Sequence, residues 1–125
     1  MKAYLIDTFE KTITPVDYNG DHKEIYKLID CIRFDCVTFN HNLDGLYVDD
    51  EGLYAQPQAH FILENYHQPL VNKALCLGCD EEGESKEPWI AIDGLEKLIK
   101  FVDPLEAYFY WEKKHYEITS RQTDS

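Results

Sequence analysis

The chain carries 24 acidic against 12 basic side chains in 125 residues, a formal net charge of −12. Such a field repels nucleic acid and anionic lipid and attracts basic protein surfaces, which sets aside direct nucleic-acid binding and membrane association. With 44% apolar residues, including nine Tyr, six Phe and two Trp, a chain of this length can bury about two thirds of its unfolded surface in one core, and general disorder is excluded.

Ala3–Ile6 and Thr12–Val16 are rich in β-formers and are joined by the polar run 7–11, the pattern of a hairpin. Pro15 has no amide to donate and places the second strand at an edge. Asn19-Gly20-Asp21 is a turn, and Asp21 is the expected cap of a helix over His22–Ile29. In that helix Ile25, Leu28 and Ile29 form a buried stripe while Tyr26 covers its flank. Cys36–Phe39 reads as a short strand ended by Asn40-His41-Asn42. Asp44–Val48 is echoed by Glu51–Ala55, which predicts a second hairpin with the acids 49–51 at its tip.

Ala59–Leu63 is apolar and of ambiguous type, Tyr66–Pro69 breaks the chain, and Ala74–Leu77 predicts a buried strand before the acidic loop Asp80–Gly83. After Pro88, Trp89–Ile92 predicts another strand. Asp93 then predicts the cap of a helix in which Leu95, Leu98, Ile99 and Val102 share one face. Asp103-Pro104 has the cap-then-proline pattern of a helix start, opening the aromatic stretch Leu105–Ile118, and Ser120–Ser125 predicts a frayed tail. The sum is one α+β domain over residues 1–102, built of short antiparallel strands and hairpins with two or three helices, followed by an aromatic appendage over 103–125.

The acids are unevenly spread. Between Phe34 and Asn72 there is no Lys or Arg, while Asp35, Asp44, Asp49, Asp50, Glu51 and Glu64 all fall there. A second cluster, Asp80, Glu81, Glu82, Glu84 and Glu87, has only Lys86 against it. Acids on turns commonly do no more than solvate a small protein, but they are also the means of occupying a basic groove. Asp44, Asp49, Asp50, Glu51, Asp80, Glu81, Glu82 and Glu84 are therefore the candidate partner-binding residues.

Charge interrupts the N-terminus at Asp7 before a signal-peptide apolar run can form, so the expectation is a cytoplasmic protein with reduced thiols. Cys76-Leu77-Gly78-Cys79 has the spacing of a zinc knuckle, with Cys31 and Cys36 as a second pair; this small zinc-binding module is the alternative function. Against it, Cys76 sits in an apolar run and the 31–36 gap is wide, so no metal or cofactor is the first expectation. Histidines 22, 41, 60, 67 and 115 lack metal-ligand spacing, and neither a serine-hydrolase elbow nor a phosphate loop occurs. Glu84-Ser85-Lys86 matches a metal-dependent nuclease motif by letters, with Asp49 or Asp50 as partner, but so acidic a chain lacks the basic groove that DNA requires. A non-enzymatic protein is expected.

Tyr4 to Thr14, Ile25 to Cys31, Tyr47 to Leu53, Gln68-Pro69-Leu70 and Leu77 to Gly83 together resemble a family of small uncharacterised acidic proteins of phages and other bacterial mobile elements, over about residues 1–102. The resemblance implies an origin and a host-cell cytoplasmic setting, and no catalytic residues. Joined to the charge, it makes the expected role the inhibition of a host defence or nucleic-acid-binding protein through an acidic surface, in the manner of anti-CRISPR or anti-restriction inhibitors. Tyr108, Phe109 and Trp111 cannot all stay exposed without an apolar patch of roughly several hundred Å², so they are expected to pack on the domain or on a second copy in a homodimer.

Overall fold

A computed structural model describes residues 1–50 and 58–123, with 115–123 as backbone only. The opening hairpin is β1 (Lys2–Asp7) and β2 (Thr12–Asp17), paired antiparallel with Tyr4 opposite Pro15. As the proline requires, β2 is an edge strand. β1 then pairs with β7 (Lys73–Cys79), β7 with β4 (Gly45–Asp49), and β4 with β3 (Phe34–Thr38), all antiparallel. The short β8 (Ser85–Lys86) folds back on the end of β7. A second antiparallel sheet has the order β6 (Leu70–Val71), β5 (His60–Leu63), β9 (Ile99–Val102). The α+β class is as the sequence predicts.

Both faces of the larger sheet are covered, which explains why β7 reads as a continuous apolar run rather than an alternating one. On one face Tyr4, Ile6, Leu46, Val48, Ala74 and Cys76 pack against Phe61 and Leu63 of β5 and Leu95 of α2 (Ile92–Leu98). On the other, Ala3, Leu75 and Leu77 pack beneath Tyr18 and beneath Ile25 and Ile29 in and just beyond α1 (Lys23–Leu28). The cap position of α1 falls on His22 rather than on Asp21 as expected, because the helix starts at Lys23; the Asp21 carboxylate instead accepts the Lys23 amide at 3.0 Å, and Tyr26 covers the flank by meeting the Phe34 ring at 4.9 Å.

Two predicted elements are corrected. Trp89–Ile92 is not a strand: residues 89–91 are irregular and α2 already begins at Ile92, with Ala91 at its cap and Asp93 in its first turn. The predicted continuation of that helix to Val102 also fails. α2 stops at Leu98, and Ile99–Val102 turns into β9 because β5 offers a free edge. Leu95 and Ile99 are buried as expected, so the apolar spacing named the core residues while misjudging the backbone that carries them.

The predicted hairpin of 44–48 with 51–55 is described only in its first arm, β4, which has β3 on one edge and β7 on the other. Its second arm lies outside the described residues. α3 (Pro104–Thr123) starts as predicted, the Asp103 carboxylate accepting the Glu106 amide at 2.8 Å and Pro104 filling the first helical position. Its helical backbone runs on through Thr123, beyond the expected start of fraying at Ser120. Ala107 is buried, and the Tyr110 hydroxyl donates to the Tyr66 carbonyl at 2.5 Å, so one side of α3 is fastened over the smaller sheet. No helix among the described residues is long and apolar enough to cross a membrane.

Candidate functional site

The candidate acids divide between the two ends of the larger sheet. Val48 lies opposite Ala74 on β7, so Asp49 and Asp50 flank the start of that strand while Asp80–Glu84 follow its finish. At roughly 3.3 Å per residue the two groups are about 20 Å apart along β7. Glu51 lies outside the described residues.

At the Asp80 end, the turn between β7 and β8 is organised by one carboxylate. Asp80 Oδ1 accepts the amides of Glu82 and Glu84, both at 2.9 Å, and the Asp80 amide donates to the Glu84 carbonyl at 2.9 Å. Asp80 is therefore partly consumed by its own loop, while Glu81, Glu82 and Glu84 are left exposed, with Glu87 exposed just beyond β8.

Asp44 proves not to be a surface acid. It is fully buried; its carboxylate accepts the Trp89 amide on Oδ1 and the Ile90 amide on Oδ2, both at 2.8 Å, and the Asn40 side-chain amide at 2.9 Å. A buried carboxylate is tolerable only with such charge-assisted partners. The Asn40 side-chain oxygen in turn accepts the Asp44 amide at 3.0 Å, closing the loop 40–44 with Leu43 in the left-handed region at φ 64°.

This arrangement depends on Gly78. A Cβ there would lie 2.6 Å from the Glu87 carbonyl oxygen and 3.3 Å from Asp44 Oδ1, so only glycine lets the 87–90 segment cross close enough to reach Asp44. The result is a segment fixed by its backbone whose side chain is free: Trp89 is 67% exposed beside the acidic turn. The sequence reading missed Trp89 by assigning it to a strand. The available signal was Asn40 four residues before Asp44, a pair able to close a polar loop and bury the acid.

The Asp49 end is different because cations stand in it. Arg33 Nη2 is 3.6 Å from Asp50 Oδ2, and Lys73 Nζ is 2.9 Å from Asp30 Oδ2. Asp35, Asp49 and Asp50 line a small hollow of about 100 Å³ together with Tyr66 and Gln68.

The cysteines divide between the two faces of the larger sheet and the end of α1. Cys76 is buried on the face toward the second sheet, where desolvation pushes its thiol far up, and Cys79 stands on the opposite face by strand alternation. Cys36 shares the Cys79 face, its Sγ filling the space over Gly45, where a Cβ would lie 2.6 Å away. Cys36 is exposed overall, and the desolvation its sulfur does feel over Gly45, with Asp35 beside it, raises its thiol. Cys31 follows α1, its thiol pushed up to about 11 by desolvation and then by Asp49. Thiols so disfavoured as thiolates are poor nucleophiles and poor ligands. Among the described residues no group of three or more His, Cys, Asp or Glu is placed to hold a metal ion.

On α3, Leu105, Tyr108, Phe109 and Trp111 are 64, 56, 57 and 40% exposed. Of the two expected covers, the domain itself does not enclose Tyr108 and Phe109, whose rings meet each other with centroids 5.9 Å apart, and a second copy is the other.

Residues 1–98 match the family model described as Domain of unknown function (DUF3846). No curated protein and no solved structure matches the chain.

Proposed function

The chain belongs to the DUF3846 family, and on that premise we propose that it is a non-enzymatic binding protein of phage or mobile-element type that docks on a basic surface of a host protein. The partner class is a defence or nucleic-acid-binding protein, whose groove the acids would occupy in place of phosphates. The observation that carries this reading is the pairing at one end of the sheet of an exposed tryptophan on a fixed backbone with a turn of exposed carboxylates. An aromatic anchor supplies lasting affinity at an interface, and the acidic rim supplies steering and selection of a basic partner. Asp49 and Asp50 would flank such an interface and add to the attraction over distance.

The test is capture of basic host proteins from lysate by the full chain, followed by affinity measurement on the purified partner. Trp89→Ala should weaken binding by about 2 kcal/mol, roughly thirtyfold, with the melting temperature unchanged. Equal affinity of the variant and wild type at all salt concentrations would retire the reading. Elemental analysis of the purified protein separates it from the four-cysteine zinc module: we expect no stoichiometric zinc, and one zinc per chain whose chelation unfolds the protein would favour the module.

A second copy is a further partner under this proposal, because Tyr108 and Phe109 remain open after folding. Deletion from Asp103 should lower the melting temperature, through loss of Ala107 and Tyr110, and should shift any dimer to monomer. An unchanged oligomeric state would assign α3 to the fold alone.

A further inference from the structure

Among the described residues, Lys11, Asp30, Leu43, Asn65 and Asn72 have positive φ without being glycine. Asp and Asn tolerate the left-handed region because their short polar side chains bond to nearby backbone, and Lys11 lies in the polar turn between β1 and β2. Leu43 is the exception. It is a branched apolar residue at φ 64°, and it is 46% exposed. Asparagine suits such a position better, and the same loop already carries it at 40 and 42. The turn does not favour leucine at 43, and neither apolar core includes it.

Its position in the loop gives that side chain a use. Leu43 precedes Asp44, whose buried carboxylate accepts the amides of Trp89 and Ile90 at 2.8 Å. The Leu43 amide donates to the Asn40 carbonyl at 3.2 Å, and the Asn40 side chain both donates to the Asp44 carboxylate and accepts its amide. Two exposed apolar residues, Leu43 and Trp89, are thus carried on backbones fastened to one Asn40–Asp44 knot. Their backbone separation is set before any partner arrives, which reduces the entropy lost on binding. The pairing of Gly45 with Leu77 places the 40–44 loop beside the acidic turn that follows β7. Glu81, Glu82 and Glu84 are exposed there, and Lys86 is exposed next to them on β8. Carboxylates around apolar anchors select Arg or Lys around the apolar residues of whatever docks.

We propose that Leu43 and Trp89 form a two-point anchor for a basic segment of the partner protein, one in which two apolar side chains are flanked by Arg or Lys. The apolar pair of that segment covers Leu43 and Trp89, and its cations face Glu81, Glu82 and Glu84. This rests on the docking proposed for this end of the sheet and names what docks there.

The probe is a phage-displayed library of random dodecapeptides, selected on the immobilised full chain and then measured as free peptides by fluorescence polarisation. Enriched sequences should combine two apolar residues with two or more Arg or Lys. Leu43→Asn should weaken the selected peptide about tenfold. Leu43→Met keeps an apolar side chain of similar size and should bind within about twofold of the wild type. Leu105→Asn, which changes a more exposed leucine on α3, should leave binding unchanged. Leu43→Asn should also raise the melting temperature by about 3 °C, because asparagine suits the left-handed backbone; a leucine kept for the fold would lower it on replacement. The proposal is overturned by a library without enrichment, by enriched peptides that lack the basic and apolar pairing, by a less stable Leu43→Asn, or by equal loss in Leu105→Asn. Full binding in Leu43→Asn with loss in Trp89→Ala would also overturn it while leaving the tryptophan anchor in place. Full binding in both variants would end the docking at this surface as well.

Discussion

Both ends of the larger sheet carry several acids and use them in different ways. At the start of β7, carboxylates meet cations: Asp30 holds Lys73 and Asp50 faces Arg33. At its finish the carboxylates are met by backbone amides instead. Asp44 takes those of Trp89 and Ile90, and Asp80 those of Glu82 and Glu84. An amide satisfies a carboxylate's hydrogen-bonding capacity without cancelling its charge. The second end therefore stays strongly negative while its loops are held in place, the combination a docking surface needs. A carboxylate in a turn is in this sense two different things, and its partners decide which.

The sharpest way to break this comparison is Asp44→Ala. It strands the amides of Trp89 and Ile90 and the Asn40 side chain at a buried site, and we expect a loss of about 3 kcal/mol in urea unfolding. The Trp89 segment should loosen in the same variant, visible as faster hydrogen exchange at 89 and 90. A loss below about 1 kcal/mol would mean that the buried carboxylate is dispensable.

Charge reversal sharpens the functional side. Glu81, Glu82 and Glu84 changed together to Lys should weaken partner binding about tenfold or more, mainly by slowing association, and should flatten its salt dependence. Reversing Asp49 and Asp50 should cost less, because Arg33 already offsets part of their field. Since the groups are about 20 Å apart, the two sets should add within about 0.5 kcal/mol. A larger loss from Asp49 and Asp50 would move the interface to the other end of the sheet.

The smallest effects belong to the cation-bearing end. Lys73→Met removes a partly exposed ion pair and should cost about 0.5 kcal/mol. The thiol of Cys31, also at this end, keeps its proton more tightly in the folded protein than in the unfolded chain, where the ordinary value is 9.0 against about 11 after folding. Its contribution to stability is therefore complete below pH 9 and drains away as pH rises from 9 toward 11. Lys73, raised mainly by its hydrogen bond to Asp30, acts in the same direction above its ordinary 10.5. Urea midpoints should fall between pH 8.5 and 10.5, and Cys31→Ser should make that fall shallower; an identical slope in the variant would remove Cys31 from the account.

The sequence by itself determined the first hairpin with its proline edge, the buried β7, the capped start of α3 and most of the core. Each of these follows from local chemistry: a missing amide at Pro15, a cap at Asp103, an apolar period along the chain. It also determined the net charge. Tertiary structure alone decided three things. Ile99–Val102 became a strand because β5 presented an edge, although their spacing equally suits a helix. Asp44 became a core residue and Trp89 an exposed one because segments 45 residues apart in sequence meet over Gly78, and no local pattern encodes such a meeting. The acids of residues 49–50 and 80–84, alike in composition, were sent to opposite ends of the sheet by the antiparallel register of β4 with β7. Side-chain type fixes what a residue can bond to, but a buried partner is chosen by the long-range packing that brings the two together.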